Sequence, residues 1–364
     1  MEIFRGDDQK RCLLVGTKDG LFIFDRGFGG NEWLSRGPFL AGNDISHAIA
    51  DPRDGAIWVA ANGEAPRVYR GDRRGETWRQ MGPDFSCERI WHVEPGRANE
   101  PGRLWAGVMP AALHRSDDSG ESWTEISSLT EHPSQPEWFG GGGGLCLHTI
   151  ILPPDCPGRI YVAISVAGFF VSDDDGASWT PRNSGTFSFA EEFSGSGTPV
   201  EQPEVYRCVH KVVLHPTVPK RLFQQNHQGV YRSNDSGMSW ESISAGLPSE
   251  FGFPIAIGGG ESPPIFVIPQ DPETLRTTGQ LAVWRSPDNG ATWIEGTEGL
   301  PLGEHNVLRE AMTADVATPT GVYFGTSAGE MFASTDGGER WTCIAADLPY
   351  IRSVKTATLS FSAS

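Results

Sequence analysis

RSDDSGESW (115–123), VSDDDGASW (171–179), RSNDSGMSW (232–240), RSPDNGATW (285–293) and ASTDGGERW (333–341) are copies of one nine-residue box, with the consensus Ser-x-Asp-x-Gly-x-Ser/Thr-Trp. A sixth copy, RGDRRGETW (70–78), is degenerate, with Gly71 and Arg73 standing where Ser and Asp stand elsewhere. A weaker seventh, FDRGFGGNEW, ends at Trp33. Seven of the 12 tryptophans (Trp33, Trp78, Trp123, Trp179, Trp240, Trp293 and Trp341) are therefore one repeated position, at successive spacings of 45, 45, 56, 61, 53 and 48 residues. Self-similarity at this period is the mark of a repeat architecture.

The chemistry of the box is that of a turn. An Asp carboxylate accepts hydrogen bonds from backbone amides two or more residues on and closes the chain on itself. Glycine supplies the positive φ such a turn needs. The Trp opens the next strand and buries a large ring between sheets. Before each box lies a short β-rich run (IWVAA, LWAGV, IYVAIS, LFQQN, IFVIP, VYFGT), then a turn and a second strand running into the box. Each unit reads as strand, strand, strand, Asp turn, strand, and helical periodicity is nearly absent. A four-strand unit of roughly 40–50 residues repeated seven times predicts a seven-bladed β-propeller. Residues 11–36 supply three strands without an inner one, and IRSVKTATL (351–359) supplies a lone strand after the last box. Pairing the two completes a seventh blade and removes the exposed sheet edges. The predicted blades are 45–82, 89–127, 147–183, 206–244, 253–297, 307–345, and 350–360 joined to 11–36, in a single domain spanning 1–364.

These boxes resemble the Asp-box, or BNR, repeats of the sialidase-like propeller superfamily, and uncharacterised bacterial glycosyl hydrolase-like BNR proteins in particular. The resemblance covers nearly the whole chain and is specific for fold. It implies that the boxes lie at the turn between third and fourth strands, on the periphery, as structural elements away from the ligand face. Within this superfamily a sialidase uses three arginines, a Tyr–Glu pair and an Asp. No FRIP-type arginine motif is present here, and EVYR (204–207) falls in mid-chain.

Composition narrows the partners. The 364 residues carry 29 basic and 46 acidic side chains, a net charge of −17. Without a Lys/Arg-rich run, that balance argues against nucleic acid or an anionic membrane surface. No stretch approaches the 18 or so apolar residues of a spanning helix. The charged start MEIFRGDDQKR and six cysteines without a CxxC pair predict a cytoplasmic protein with reduced thiols.

The ligand face of a propeller gathers the starts of its inner strands. Aligning these strands places a histidine at His47, His92, His148 and His210, and the same offset lands on Glu310 in the sixth blade. Arg89 and Arg207 each precede their histidine by three, Arg309 adjoins Glu310, and Tyr206 adjoins Arg207. Three readings follow. In the first, the histidines bond neighbouring backbone and the protein is a non-catalytic interaction scaffold. In the second, they line a pocket for a small anionic or sugar-like substrate of a hydrolase or lyase. There Glu310, Tyr206 and His210 are catalytic candidates, and Arg89, Arg207, Arg309 and His92 bind substrate. In the third, His47, His92, His148 and His210 hold a divalent transition metal (Fe, Mn, Zn or Cu) in a metal-dependent lyase or oxygenase, since imidazoles converging on an axis suit those ions. Two long connections, 127–146 with Gly140–Gly144 and 181–206 with Phe187, Phe189, Glu191, Glu192 and Phe193, are expected to overhang this face. The stretch 258–278 extends the same rim.

Overall fold

A computed structural model of the chain describes residues 9–26, 32–189 and 204–360. Its strands form seven four-stranded antiparallel sheets. The blades run 44–81, 89–125, 147–181, 209–242, 252–296 and 312–345, each within a residue or a few of its expected bounds. The seventh is composite. Its inner strand, Ile351–Ser360, pairs antiparallel with Gln9–Thr17, placing Cys12 opposite Ala357, and Gly20–Arg26 and Trp33–Phe39 complete the sheet. The ring thus closes through the two ends of the chain, as their complementary strand counts predict.

Each sheet is covered on both faces by its neighbours. Second strands therefore read as continuous apolar runs rather than alternating ones. Ile160–Ile164 and Val322–Gly325 are buried at every position. Trp58, Trp105, Tyr161, Phe223, Phe266 and Phe324 fill the spaces between blades.

The boxes close as their chemistry demands. In the fourth blade, Ser233 Oγ donates to Asp235 Oδ1 at 2.8 Å and accepts the Gly237 amide at 2.8 Å. Asp235 Oδ1 also accepts the Ser239 amide at 2.9 Å, and Oδ2 accepts the Ser239 hydroxyl at 2.6 Å. Gly237 sits at φ +83°, where an L side chain would be strained. The box carboxylate is thus taken up by its own turn, and these hydrogen bonds hold Asp118 down at a pKa of about 2. In the fourth and fifth blades the Trp that follows staples the blade to the one before it. Trp240 Nε1 donates to Arg182 O at 2.9 Å, and Trp293 Nε1 to Ile243 O at 2.7 Å.

The first long connection is partly ordered by a short helix, Ser127–Thr130, and a helical turn, Gln135–Glu137. Trp138 then buries against Phe170 with ring centroids 5.2 Å apart. In the second connection, Glu191, Glu192 and Phe193 lie outside the described residues.

Candidate functional site: an arginine-lined axial cavity

The inner strands share one irregularity. A β-bulge interrupts the register at Ser46, Trp91, His148 and His210, and again within the Gly252–Ile255 stretch and before Thr17's pairing with Ile351. Counting back from the paired end of each strand, the equivalent positions are Ser46, Trp91, His148, His210, Phe253, Glu310 and Arg352. A bulge re-aims one side chain, and six of these seven positions lie at one, whereas Glu310 precedes its strand and forms a parallel bridge with Ser353. All of these except His148 line a cavity of about 740 Å³ at the centre of the ring. Two residues earlier on each strand, Arg89, Cys208, Phe251, Leu308 and Tyr350 form a second tier of the same wall. Arg309, Arg276, Phe139, Gly141–Gly143, Phe189 and His227 complete the mouth.

This register corrects the sequence alignment of the histidines. His47 and His92 stand one residue past the bulge, at the level of Thr149 and Lys211, whereas His148 and His210 are the bulged residues themselves. The four therefore do not meet. Among the described residues two trios of potential ligands come within 4.8 Å of one another: His47, His92 and Glu310, and Cys208, His210 and His227. His148 belongs to neither. Its Nε2–H donates to Val209 O on the next blade at 3.0 Å, and Nδ1 accepts from Thr149 Oγ1 at 3.0 Å. His92 Nδ1–H donates to His148 O at 3.1 Å, and His210 Nδ1–H to Gly252 O at 2.5 Å. Three histidines thus tie successive blades together through backbone carbonyls.

Beneath the floor lies a buried charge cluster. Glu310 carries Lys355 Nζ at 3.1 Å and Lys211 Nζ at 3.6 Å, with His47 Nε2 at 3.9 Å. Burial works to raise the Glu310 pKa, but the two ammonium groups win and hold it well below the usual carboxylate range. Burial pushes Lys211 down to about 8 despite that partner. His47 stacks on His92 with centroids 3.9 Å apart, and burial reinforced by His92 and Lys355 keeps it neutral. Glu310 reaches the cavity as an anion already shared between two lysines.

The wall above is cationic. Arg89, Arg276, Arg309 and Arg352 face Glu310 as the one lining carboxylate among the described residues. Asp44 bridges two of them, at 2.9 Å from Arg89 and 2.8 Å from Arg352, and these hydrogen bonds overcome its burial to lower its pKa. Among the described residues Arg309 has no carboxylate partner. Its guanidinium lies 5.3 Å over the Trp91 ring and reaches Cys146 Sγ at 3.5 Å. The indole N–H of Trp91 is buried without a partner among the described residues.

Not every candidate reaches this wall. Tyr206 is turned outward, its Oη donating to Glu137 at 2.7 Å, and burial with that carboxylate pushes it up to about 12. Arg207 folds back onto Val205 O at 3.0 Å, with burial lowering its pKa. A residue preceding the strand has no register to aim it, so neither position follows from spacing. The glycine run forms a turn closed by a Gly141–Gly144 bridge, and its tip lines the cavity. Phe189 and the 274–276 segment of the fifth blade also reach the cavity, as expected of the rim.

The fold and site together define a seven-bladed propeller with a cationic axial cavity. No protein-family model matches the chain. Over 303 residues it is 22% identical to the oligoxyloglucan-reducing end-specific xyloglucanase of Emericella nidulans, covering 72% of this chain and 36% of that protein. Over 217 residues it is 22% identical to a xyloglucanase of Hypocrea jecorina, covering 59% and 22%. The chain thus spans little more than a third, or less, of these curated relatives. Among solved structures, an ancestral GH74 enzyme matches with a TM-score of 0.61 at 18% identity, over 83% of this chain and 38% of that one. YCF48 bound to D1 peptide matches at 0.55 and 13% identity, over 99% and 100%. Likeness at these identities carries the propeller fold.

Proposed function

We propose that this propeller is a glycan-acting enzyme, a hydrolase or lyase, whose axial cavity takes an anionic sugar-like ligand such as a uronide. The observation that carries this reading is the charge of the cavity. Four arginines line it, and its one described carboxylate is already matched by two lysines, in a chain whose net charge is −17. Arg309, with no carboxylate partner among the described residues, is the anchor for the ligand's anionic group, and planar guanidinium suits a carboxylate bidentately. Phe251 and Phe253 offer apolar ring surface for a sugar ring. Glu310 can accept hydrogen bonds from ligand hydroxyls. The xyloglucanase relatives support the carbohydrate part of the reading, and the arginines support the charge.

The test is calorimetric titration with glucuronides, galacturonides and neutral xyloglucan oligosaccharides, with turnover measured on the same panel. Uronides are expected to bind and neutral sugars to bind weakly. Arg309→Ala should weaken uronide binding by about 10–100-fold, the loss of one charge-assisted contact of about 1.5–3 kcal/mol. Equal affinity for neutral and anionic sugars, or unchanged binding by Arg309→Ala, would overturn the reading.

A further inference from the structure

Anion binding by the arginines leaves Cys208, His210 and His227, which line the same cavity, unexplained. We propose that they form a transition-metal site, best suited to Zn(II), with its open coordination position facing the cavity. A tetrahedral S–Zn–N edge built from Zn–S of about 2.3 Å and Zn–N of about 2.0–2.1 Å measures about 3.5 Å. Cys208 Sγ and His210 Nε2 lie 3.5 Å apart. The third nitrogen, on His227, is within 4.8 Å of both and must close by about 1.4 Å at most to reach a tetrahedral N–N edge of about 3.4 Å. Its place on a hairpin turn allows that adjustment.

The ligands are oriented as a metal requires. His210 donates its Nδ1–H to the Gly252 carbonyl, which leaves the Nε2 lone pair aimed at Cys208. Metal-bound histidines characteristically make this second hydrogen bond. The His227 amide donates to the Cys208 carbonyl at 2.9 Å, so the backbone locks these two ligands together across the hairpin. Cys208, His210 and His227 all line the cavity. Three protein ligands with a fourth position open to a cavity is the arrangement of catalytic rather than structural zinc. Binding displaces the Cys208 thiol proton to solvent, leaving a metal–thiolate bond, and a water takes the open position. The other trio does not compete. Lys211 and Lys355 already supply the positive charge that a cation would bring to Glu310.

The site stands whether or not the ligand is a uronide, so its test uses metal alone. Chelator-treated full-length protein is titrated with Co(II) and followed by absorbance. The expected result is one Co(II) per chain, with a near-ultraviolet thiolate-to-cobalt charge-transfer band and visible bands of tetrahedral intensity. Cys208→Ser should remove the charge-transfer band, and Cys146→Ser, a nearby thiol outside the trio, should keep it. His227→Gln, on the turn, should weaken binding by more than the roughly 10–100-fold cost of losing an outer-sphere partner. Near-ultraviolet circular dichroism checks the fold of each variant. If Cys208→Ser fails to fold, His227→Gln decides. Absence of stoichiometric cobalt, a charge-transfer band that survives Cys208→Ser, or unchanged affinity in His227→Gln would overturn the proposal.

Discussion

Replacing Glu310 by Gln tests the buried charge cluster directly. The substitution keeps the shape of the side chain and removes its charge. Lys211, with 6% of its side chain exposed, and Lys355, with 23%, then face each other across the axis without a counter-ion. Removing one partner from a buried pair costs about 3–5 kcal/mol. At an unfolding entropy of about 2.1 cal/mol/K per residue, a chain of 364 residues loses about 1.3 °C of melting temperature per kcal/mol, so the variant should melt about 4–7 °C lower at neutral pH. The loss should depend on pH. In the wild type the folded pKa of Lys211 is about 8 against 10.5 in the unfolded chain. Between those values the unfolded chain holds more protons, so this group makes stability rise with pH across that window, by about 3 kcal/mol in all. Without Glu310 the folded value falls further and Lys211 sheds its proton earlier, so the deficit of the variant narrows as pH rises toward 8 and stays level above it. Calorimetry at about pH 7 and about pH 10 reads both effects. A Lys211→Met/Glu310→Leu double variant should recover much of the loss, since apolar replacement of a buried pair is often neutral. A melting point within a degree of wild type at neutral pH would show that water, not protein, solvates these charges, and would refute the argument.

Two further outcomes follow from the inner strands and the boxes. Ser233→Ala removes the acceptor of the buried Gly237 amide and the donor to Asp235, and should cost about 1–3 kcal/mol in denaturant unfolding, with no effect on ligand binding. His148→Ala deletes a fully buried ring whose two nitrogens are both bonded, and should cost about 2–4 kcal/mol while leaving metal stoichiometry unchanged, because His148 belongs to neither trio.

The blades are legible in the sequence because the box is a local device. Its donors and acceptors lie within eight residues, so its spacing survives whatever the blades do around it. The cavity is less legible, and the histidines show why. His92 precedes Leu104 by 12 residues, and His210 precedes Leu222 by 12, which suggests equal heights. But Pro95 pairs with Leu104 while Leu214 pairs with Leu222, so the two hairpins differ by one residue. In a strand a one-residue slip sends a side chain to the other face. Counted from the paired ends instead, the bulged slot emerges, and with it Trp91, Phe253 and Arg352, which a search for repeated histidines overlooks. Lys211 carries a usable signal, a charge inside the otherwise apolar run VHKVVL, where an unpaired ammonium is costly. Asp44 and Lys355 carry none. Their partners lie more than 40 residues away on other blades, and Arg352 meets Asp44 only because the ring closes.

That closure sets the order in which the site can come into being. Ile351–Ser360 is made after the other described strands, yet it is the inner wall of the seventh blade, it takes the Glu310 carbonyl onto the Val354 amide at 2.8 Å, and it delivers Arg352 to the cavity and Lys355 to Glu310. A nascent chain that has folded six blades still has a split ring, an acidic group with one lysine instead of two, and a cavity open along one side. The chemistry of the axis is thus withheld until synthesis has passed Lys355, so a prematurely terminated chain carries the blades without the site.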